Sequence, residues 1–196
     1  MIKLLKNPIL YNLVQVFFSH QKMKTLISTE LLKARGKRVL DVGCGTGQAI
    51  KFLPQCNYTG FDISSEFLNT AKRIHGTSYN FILSSIEGFD FEQYGPFDVV
   101  LMIGVLHHLS DQQIKTFYQI IKTKMNDESF LLTVDPCLIQ DQRPLARFLV
   151  QLDRGKHIRS INDYQSLNKD LFISNTCLYC PQNFPPYDRL MQKLTS

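Results

Sequence analysis

The sequence is poor in the residues that mark non-globular chains, with ten glycines and eight prolines among its 196 residues. These contents exclude a collagen-like repeat and low-complexity disorder. Hydrophobic residues make up 44% and charged residues 20%, and the length suits one compact domain. A single core of this size buries about 70% of the surface that the unfolded chain exposes, so the fold needs neither disulfides nor a structural metal.

Cysteine is sparse as well. The five cysteines are an odd number scattered along the chain, which does not suit a disulfide framework and favours a reduced, cytoplasmic setting. Cys177 and Cys180 form a lone C-x-x-C in a predicted strand. Because side chains alternate along a strand, the two sulfurs should lie on opposite faces, and we predict no metal site.

The chain also lacks a run of about 18 apolar residues, so no transmembrane segment is predicted. No small-residue cleavage site follows the N-terminus, which argues against a signal peptide. Residues 1–37 predict a helical arm with apolar residues at helical spacing, namely Ile9, Leu13, Val16 and Phe17. A helix packed over the domain is favoured, and a peripheral contact with a membrane surface is the alternative.

No basic face runs through the chain, although its net charge is +5. Residues 1–37 carry seven Lys and Arg against one acid, residues 38–137 carry seven against eleven, and residues 138–196 carry eight against five. Two basic flanks therefore enclose an acidic middle. This pattern differs from the continuous basic surface of a dedicated nucleic-acid binder, so nucleic acid is not the favoured partner.

Apolar, β-branched segments alternate with helix-length segments in the middle of the chain. We predict a short helix that ends at Leu53 and a helix that Ser64 or Ser65 caps and Gly76 ends. A third helix is predicted from Asp111 to Met125 after a capping box of Ser110 and Gln113. Predicted strands cover residues 38–42, 58–62, 81–83, 97–103 and 130–134. This order predicts parallel βαβ units and a doubly wound α/β sheet with helices on both faces.

Beyond Pro136 we predict helices over 144–152 and 160–171, and then a closing hairpin. The chain thus divides into a helical arm, a core, a helical insertion on the substrate side and a hairpin, all within one domain. The predicted bounds of these four parts are 1–37, 38–136, 137–172 and 173–196.

A glycine-rich loop, Asp41-Val42-Gly43-Cys44-Gly45-Thr46-Gly47, follows the first predicted strand. Glycines at this place permit a tight turn and let a ligand approach the backbone closely. Asp62 ends the second strand, where an acid would bind the two ribose hydroxyls of a nucleoside cofactor. A plain strand-to-helix turn with a capping aspartate is the alternative.

The spacing G-x-G-x-G differs from the G-x-G-x-x-G of nicotinamide-binding proteins. Together with Asp41 it resembles motif I of class I S-adenosylmethionine-dependent methyltransferases. Further segments are similar to a subgroup of small bacterial methyltransferases, and the resemblance extends from about Leu5 to Leu194. These segments are 61–64, 97–109, 132–136, 152–159 and 184–188.

The resemblance implies S-adenosylmethionine as the cofactor and a Rossmann-like sheet of seven strands, mostly parallel, whose last two strands form an antiparallel edge. It implies that Gly43, Cys44 and Gly45 line the methionine half of the cofactor above Asp41. The remaining implied cofactor residues are Asp62 at the ribose, and Ile63, Ser85, Ile86 and Ile103 around the adenine and the strand ends. Ser85 stands where many relatives have Asp. Asn126–Ser129 replace the usual Pro-Gly-Gly, which we expect to change only a turn.

Three residues are candidates for catalysis. His107 and His108 follow the fourth predicted strand, and Asp135 ends the fifth. Each has a structural alternative, since adjacent histidines often fill a loop and an aspartate before Pro136 can cap a turn.

Arg154, His157 and Arg159 belong to a basic cluster that would bind an anionic acceptor if it faces the cleft. A solvated polar turn is the alternative.

The sequence therefore predicts methyl transfer from S-adenosylmethionine to an oxygen, nitrogen or carbon atom of a small metabolite. An anionic metabolite is expected if the basic cluster faces the cleft. Methylation of RNA or another polyanion, and cofactor binding without catalysis, are the alternatives.

Overall fold

The computed structural model describes residues 21–153 and 155–195. The predicted helical pattern of Ile9, Leu13, Val16 and Phe17, and with it the question of a membrane contact, lies outside these residues, as does Arg154. The chain divides into two compact units, residues 1–89 and 90–196.

The first unit contains a small parallel sheet with strand order β3-β2-β1. Val39 pairs with Tyr58 between β1 and β2, and Gly60 pairs with Phe81 between β2 and β3. The strands are β1 (Arg38–Val42), β2 (Asn57–Asp62) and β3 (Asn80–Leu83), and the helices are α1 (Gln21–Leu31) and α2 (Ser65–His75).

Helix α2 begins and ends where the sequence predicts. The Ser64 hydroxyl accepts a hydrogen bond from the Phe67 amide at the start, and Gly76 follows the last turn with a φ of 73°. Glycine adopts this left-handed conformation at low cost, which is why it commonly ends helices. The α2 face that carries Leu68 and Ala71 is buried.

The helix predicted after the glycine-rich loop is wrong. Turns occupy this segment, and a 3₁₀ turn over Ile50–Phe52 is the only helical piece among residues 43–53. Gly43, Gly45 and Gly47 all have positive φ angles, of 65°, 55° and 76°. Such angles are incompatible with a right-handed helix, so the backbone of the loop forms a series of turns instead.

The second unit contains strands in the order β4-β5-β8-β7. Strands β4 and β5 are parallel, whereas β5 with β8 and β8 with β7 are antiparallel. The strands are β4 (Phe97–Ile103), β5 (Met125–Leu138), β6 (Arg159–Ser160), β7 (Ser174–Gln182) and β8 (Tyr187–Thr195). The helices are α3 (Phe91–Tyr94), α4 (Asp111–Thr123), α5 (Pro144–Gln151) and α6 (Ile161–Ser166).

Strand β5 is much longer than predicted. It begins at Met125, which pairs with Phe97, so α4 ends at Thr123 rather than at Met125. Asn126–Ser129 therefore belong to the strand, and our expectation that they change only a turn is wrong. The register shifts between Phe97 and Val99, and Glu128 has a φ of 64°. This irregularity accommodates polar residues that periodicity alone assigns to a turn.

The segment after α5 also differs from the prediction. Helix α6 ends at Ser166 instead of Leu171, and the Asn168 side chain donates to the Tyr164 carbonyl just beyond the last turn. The short strand β6 was not predicted. It pairs in parallel with Cys137 and Leu138 of β5, which attaches the segment around Arg159 to the sheet of this unit.

The predicted closing hairpin is confirmed by the antiparallel pairing of β7 with β8. Cys180 is buried in β7 and Cys177 is half-buried, with its sulfur accepting a hydrogen bond from Gln165. Over residues 21–153 and 155–195, no helix is both long and apolar enough to cross a bilayer.

We predict that Ser110→Ala lowers the free energy of unfolding by about 1 kcal/mol. The Ser110 hydroxyl accepts from the Gln113 amide, and the Gln113 side chain accepts from the Ser110 amide. The change leaves the first turn of α4 without this cap. Urea unfolding followed by circular dichroism measures the effect.

Ser28→Ala in α1 is the matched control for this prediction. The Ser28 hydroxyl donates to the Thr25 carbonyl within the helix, where alanine is at least as favourable as serine. A loss of stability no larger for Ser110→Ala than for Ser28→Ala would contradict the prediction.

Candidate active site

The glycine-rich loop of the first unit follows β1 and is held by backbone bonds. The Cys44 amide donates to the Phe61 carbonyl at 3.0 Å, and the Gly47 amide donates to the Cys44 carbonyl at 2.9 Å. The loop is therefore tied to the end of β2. This places Gly43–Gly45 beside Asp62, as the sequence predicts for a nucleoside site.

Asp62 accepts a backbone hydrogen bond with each carboxylate oxygen, and one of these bonds comes from the loop. Its Oδ2 accepts from the Gly45 amide at 2.9 Å and its Oδ1 accepts from the Ser64 amide at 2.8 Å. Burial raises the pKa of Asp62, and the backbone bonds oppose that shift. The side chain is half-buried, and each carboxylate oxygen can accept a further hydrogen bond. Asp62 can thus bind hydroxyl groups of a ligand.

Asp41 lies under the loop and is 3% exposed. Burial raises its pKa to about 7, although the Tyr58 hydroxyl donates to Oδ2 at 2.7 Å and lowers it in part. Tyr58 is not among the residues predicted for the site. Its place in β2 between Asn57 and Thr59 gives no sign that its hydroxyl donates to a carboxylate.

Gly60 is a second residue that the sequence analysis missed. A Cβ atom at this position would lie 2.7 Å from the Tyr58 hydroxyl and 2.9 Å from the Cys44 sulfur. Glycine is therefore required here by the close approach of the loop to β2. Cys44 is itself buried, and burial raises the pKa of its thiol far above the usual range, so it contributes bulk and backbone groups rather than a thiolate.

The residues expected around the adenine and the strand ends differ in exposure and in hydrogen bonding. Ile63 is 78% exposed next to Asp62, which leaves its side chain open to a ligand. Ser85 uses its hydroxyl to accept from the Gly88 amide, and Ile86 is half-buried in the same turn. Ile103 ends β4 in the second unit and is half-buried.

The predicted catalytic residues lie in the second unit, where His107 is buried between two carboxylates. Its Nδ1 lies 2.7 Å from Asp135 Oδ1, and its Nε2 lies 3.1 Å from Asp153 Oδ1. Burial lowers the pKa of His107, but the two carboxylates outweigh this effect and raise it to about 9. Without a bound ligand His107 is therefore an imidazolium at neutral pH, with both ring nitrogens occupied as donors.

Asp135 accepts from His107 twice, through the ring and through the backbone amide at 3.2 Å. It is 2% exposed and lies inside β5, where it pairs with Leu190 of β8, instead of at the end of the strand. Its Oδ2 has no hydrogen-bond partner among the residues that the structure describes.

Asp153 completes the arrangement and was not among the predicted site residues. Its Oδ2 accepts from the Tyr187 hydroxyl at 2.5 Å, and its Oδ1 accepts from the Gly155 amide at 3.1 Å. His107 and Tyr187 keep the pKa of Asp153 well below its usual value despite its partial burial. These residues lie in segments 152–159 and 184–188, whose family resemblance was the only sequence signal for them.

His108 is exposed and its ring lies against that of His107, with 4.1 Å between the ring centroids. The structure thus brings His107, His108 and Asp135 together, as predicted, but in different settings. His107 and Asp135 are buried and hydrogen-bonded to each other, whereas His108 faces solvent.

Arg159 is buried, and its guanidinium is committed to the protein. It donates to Asp111 at 2.6 and 2.8 Å and to backbone carbonyls of three residues, Leu106, Leu109 and His157. We propose a structural role for Arg159 in place of the expected contact with an acceptor, because these bonds use its donors. Lys156 and His157 of the same segment are exposed.

The comparisons with known proteins agree with this reading. Residues 39–127 match the family model described as a methyltransferase domain. The structure resembles magnesium protoporphyrin IX methyltransferase from Synechocystis PCC 6803, solved with bound S-adenosylhomocysteine, with a TM-score of 0.66 and 16% identity. The likeness covers 90% of this chain and 84% of that one. It confirms the predicted Rossmann-like α/β fold.

Two curated relatives match shorter stretches. The ubiquinone biosynthesis O-methyltransferase of Vibrio parahaemolyticus is 39% identical over 82 residues, 39% of this chain and 34% of that protein. A probable (S)-tetrahydroprotoberberine N-methyltransferase of Papaver bracteatum is 28% identical over 110 residues, 52% of this chain and 30% of that protein. The chain thus spans about a third of the length of these relatives.

The fold is of the Rossmann-like class, and the glycine-rich loop with Asp62 has the arrangement that the sequence predicts for a nucleoside site. The comparisons are more specific and confirm the predicted resemblance. The chain is thus similar to S-adenosylmethionine-dependent methyltransferases, and the match to the methyltransferase-domain model extends over residues 39–127.

We predict that Asp41→Asn changes how stability depends on pH. Between pH 4 and 7 the folded protein keeps a proton on Asp41 that the unfolded chain has lost, so rising pH favours unfolding of the wild type. Asparagine has no such proton. From pH 5 to 7 the wild type should lose about 2 kcal/mol of unfolding free energy relative to Asp41→Asn.

Urea unfolding of both proteins at pH 5, 6, 7 and 8 measures this difference, in which the titration of all other groups cancels. The difference should level off above pH 7. A constant difference across the whole range would show that Asp41 ionises normally.

We further predict that Gly155→Ala lowers the free energy of unfolding by about 1 to 3 kcal/mol. The new methyl group would overlap the His107 ring at Cδ2 and lie 2.8 Å from its Cγ and from the His107 carbonyl oxygen. Thermal or urea unfolding measures the loss.

Gly88→Ala is the matched control, since its Cβ would meet only the Ser84 and Ser85 hydroxyls at 3.4 and 3.5 Å. We expect it to change stability by less than about 0.5 kcal/mol. Equal effects of the two variants would refute the close packing of Gly155 on His107.

Proposed function

We propose that this protein transfers the methyl group of S-adenosylmethionine to an oxygen or nitrogen atom of a small, anionic metabolite. The observation that carries the proposal is the bond of Asp62 to the Gly45 amide, which joins a ribose-binding carboxylate to the glycine-rich loop. The match to the methyltransferase-domain model and the similarity to named methyltransferases support the reaction and its cofactor.

The residues of the first unit fit the cofactor. Gly43, Cys44 and Gly45 would face its methionine half, because a loop without bulky side chains lets a ligand approach the backbone. Asp62 would accept hydrogen bonds from the ribose hydroxyls with the lone pairs that Gly45 and Ser64 leave unused. The exposed side chain of Ile63 would cover one face of the adenine.

In this proposal the partner of the adenine amino group is Ser85, which is a weaker acceptor than the Asp of many relatives. The Ser85 hydroxyl is already engaged by the Gly88 amide. It can still accept one more hydrogen bond. We assign the apolar wall beside it to Ile86, as the family resemblance implies.

The chemistry requires positioning more than acid–base catalysis. The cofactor supplies a methyl group on a sulfonium, which is already an activated electrophile. Holding the acceptor in line with the breaking bond can contribute about 7 to 11 kcal/mol to the lowering of the barrier. The protein must also exclude water, because water competes as a nucleophile.

His107 does not suit the role of general base while both of its ring nitrogens are protonated. We therefore propose that His107 and Asp135 are positioning residues, which fix the segment around Asp153 and Gly155. His108, whose ring is exposed, remains the candidate for contact with the acceptor.

An anionic acceptor is supported by the exposed Lys156 and His157, which lie next to this fixed segment. The family relatives support a small molecule, since two of them are named as O- and N-methyltransferases of small compounds. A cytoplasmic location, expected from the cysteine content, is part of the proposal.

The direct test is transfer of labelled methyl from S-adenosylmethionine. Purified protein is incubated separately with fractionated small metabolites and with total RNA. We expect label in a small anionic compound. Label in RNA, with transfer that falls steeply as salt rises, would favour the polyanion alternative. Cofactor binding without transfer to either pool would favour a protein that binds the cofactor and is catalytically silent.

We predict that Asp62→Ala weakens S-adenosylmethionine binding at least about 100-fold, since it removes two charge-assisted bonds to the ribose and frees the loop at Gly45. Isothermal titration calorimetry measures the change. Asp127→Ala, which removes an exposed carboxylate, should bind like the wild type. Binding by folded Asp62→Ala within threefold of the wild type would overturn the assignment.

A further inference from the structure

Three potential metal ligands converge in the second unit. One ring nitrogen each of His107 and His108 and one carboxylate oxygen of Asp153 lie within 4.8 Å of one another. His107 is buried, Asp153 is half-buried and His108 is exposed. The cluster is thus anchored on one side and open to solvent on the other.

The fixed pair in this cluster already has the separation of two ligands on one ion. His107 Nε2 and Asp153 Oδ1 are 3.1 Å apart. Ligands about 2.1 Å from one ion are about 3.0 to 3.4 Å apart at octahedral or tetrahedral angles. His108 is the ligand that has to move, and its exposed ring can rotate toward the other two.

Both fixed ligands are held in their orientation by further hydrogen bonds from the protein. Asp135 accepts from His107 Nδ1 at 2.7 Å, which aims Nε2 at Asp153. The Tyr187 hydroxyl and the Gly155 amide hold the Asp153 carboxylate. A carboxylate that hydrogen bonds the far nitrogen of a metal-binding histidine is a common feature of metal sites, because it fixes the ring and makes the near nitrogen a better ligand.

We propose that His107, His108 and Asp153 form a binding site for a divalent transition-metal ion. Two imidazole nitrogens and one carboxylate oxygen favour Zn²⁺, Co²⁺ or Fe²⁺ over Mg²⁺, which prefers oxygen ligands only. The ion would take the place of the proton between His107 Nε2 and Asp153 Oδ1, and that proton is released to solvent. Two positive charges would then balance the carboxylates of Asp135 and Asp153.

Three protein ligands leave coordination positions open for water or for an oxygen of a second molecule. The site could therefore hold a hydroxyl or carboxylate group by direct coordination. The proposal does not depend on methyl transfer, because it concerns metal binding by residues of the second unit alone.

The test uses the full chain after treatment with a chelator and titration with Co²⁺, whose visible absorption reports its ligands. We expect one Co²⁺ per chain, with a spectrum that lacks the charge-transfer band of a thiolate ligand, and displacement of Co²⁺ by Zn²⁺ but not by Mg²⁺. A spectrum with a thiolate band, or no stoichiometric binding, would overturn the proposal.

Co²⁺ binding by variants tests whether these three residues are the ligands. We expect His108→Ala to raise the dissociation constant for Co²⁺ at least about tenfold. Asp153→Asn should do the same, since it keeps a hydrogen-bond acceptor for His107 but removes the charge. His157→Ala is the matched control, because it removes an exposed histidine of the same unit and should bind within threefold of the wild type.

His108 is exposed, so its replacement should leave the fold intact, and circular dichroism checks this in the same samples. Tight Co²⁺ binding by folded His108→Ala would refute the assignment, and the wild-type network would then be a protonated His107 held by two aspartates. Calorimetry with S-adenosylmethionine on the same samples keeps this result separate from the proposed function.

Discussion

Each unit of this protein buries carboxylates in or beside its strands, and the local structure is organised by the need to satisfy them. A buried carboxylate without hydrogen bonds is costly, so partners must be brought to it. Asp41 takes the Tyr58 hydroxyl, Asp62 takes two backbone amides, and Asp135 takes the ring and amide of His107. In the first unit this requirement draws the glycine-rich loop onto β2 and leaves room for no side chain at Gly60.

In the second unit the same requirement shapes the segment that follows α5. His107 neutralises Asp135 and then presents its second nitrogen to Asp153. Gly155 packs on the ring, the His157 amide donates to the His107 carbonyl, and the Arg159 guanidinium reaches carbonyls on both sides of His107. A segment that looks polar and solvated in the sequence is therefore fixed at several points. Lys156 and His157 are the exposed residues of this segment, and the backbone that carries them is held by these contacts.

This arrangement changes how charge in the chain is interpreted. Arg159 adds to the positive charge of the C-terminal flank, yet its guanidinium serves the protein rather than a ligand. His107 was one of three candidates for catalysis, and its two carboxylate neighbours raise the pKa of its ring, which favours the charged form. Residue type and position in the sequence suggested chemistry for both, whereas burial and hydrogen-bond partners indicate structural roles.

The sequence by itself determined the alternation of strands and helices, the caps of α2 and α4, the closing hairpin and the place of Asp62 beside the glycine-rich loop. These features depend on local preferences or on hydrophobic periodicity, which neighbouring residues encode. Only the tertiary structure decided that Asn126–Ser129 join β5, that no helix follows the loop, and that Asp153, Gly155 and Tyr187 surround His107. The strand extension and the surroundings of His107 depend on partners far away in the chain. The absence of a helix after the loop depends on the positive φ angles of three glycines. Local sequence patterns do not reveal either of these.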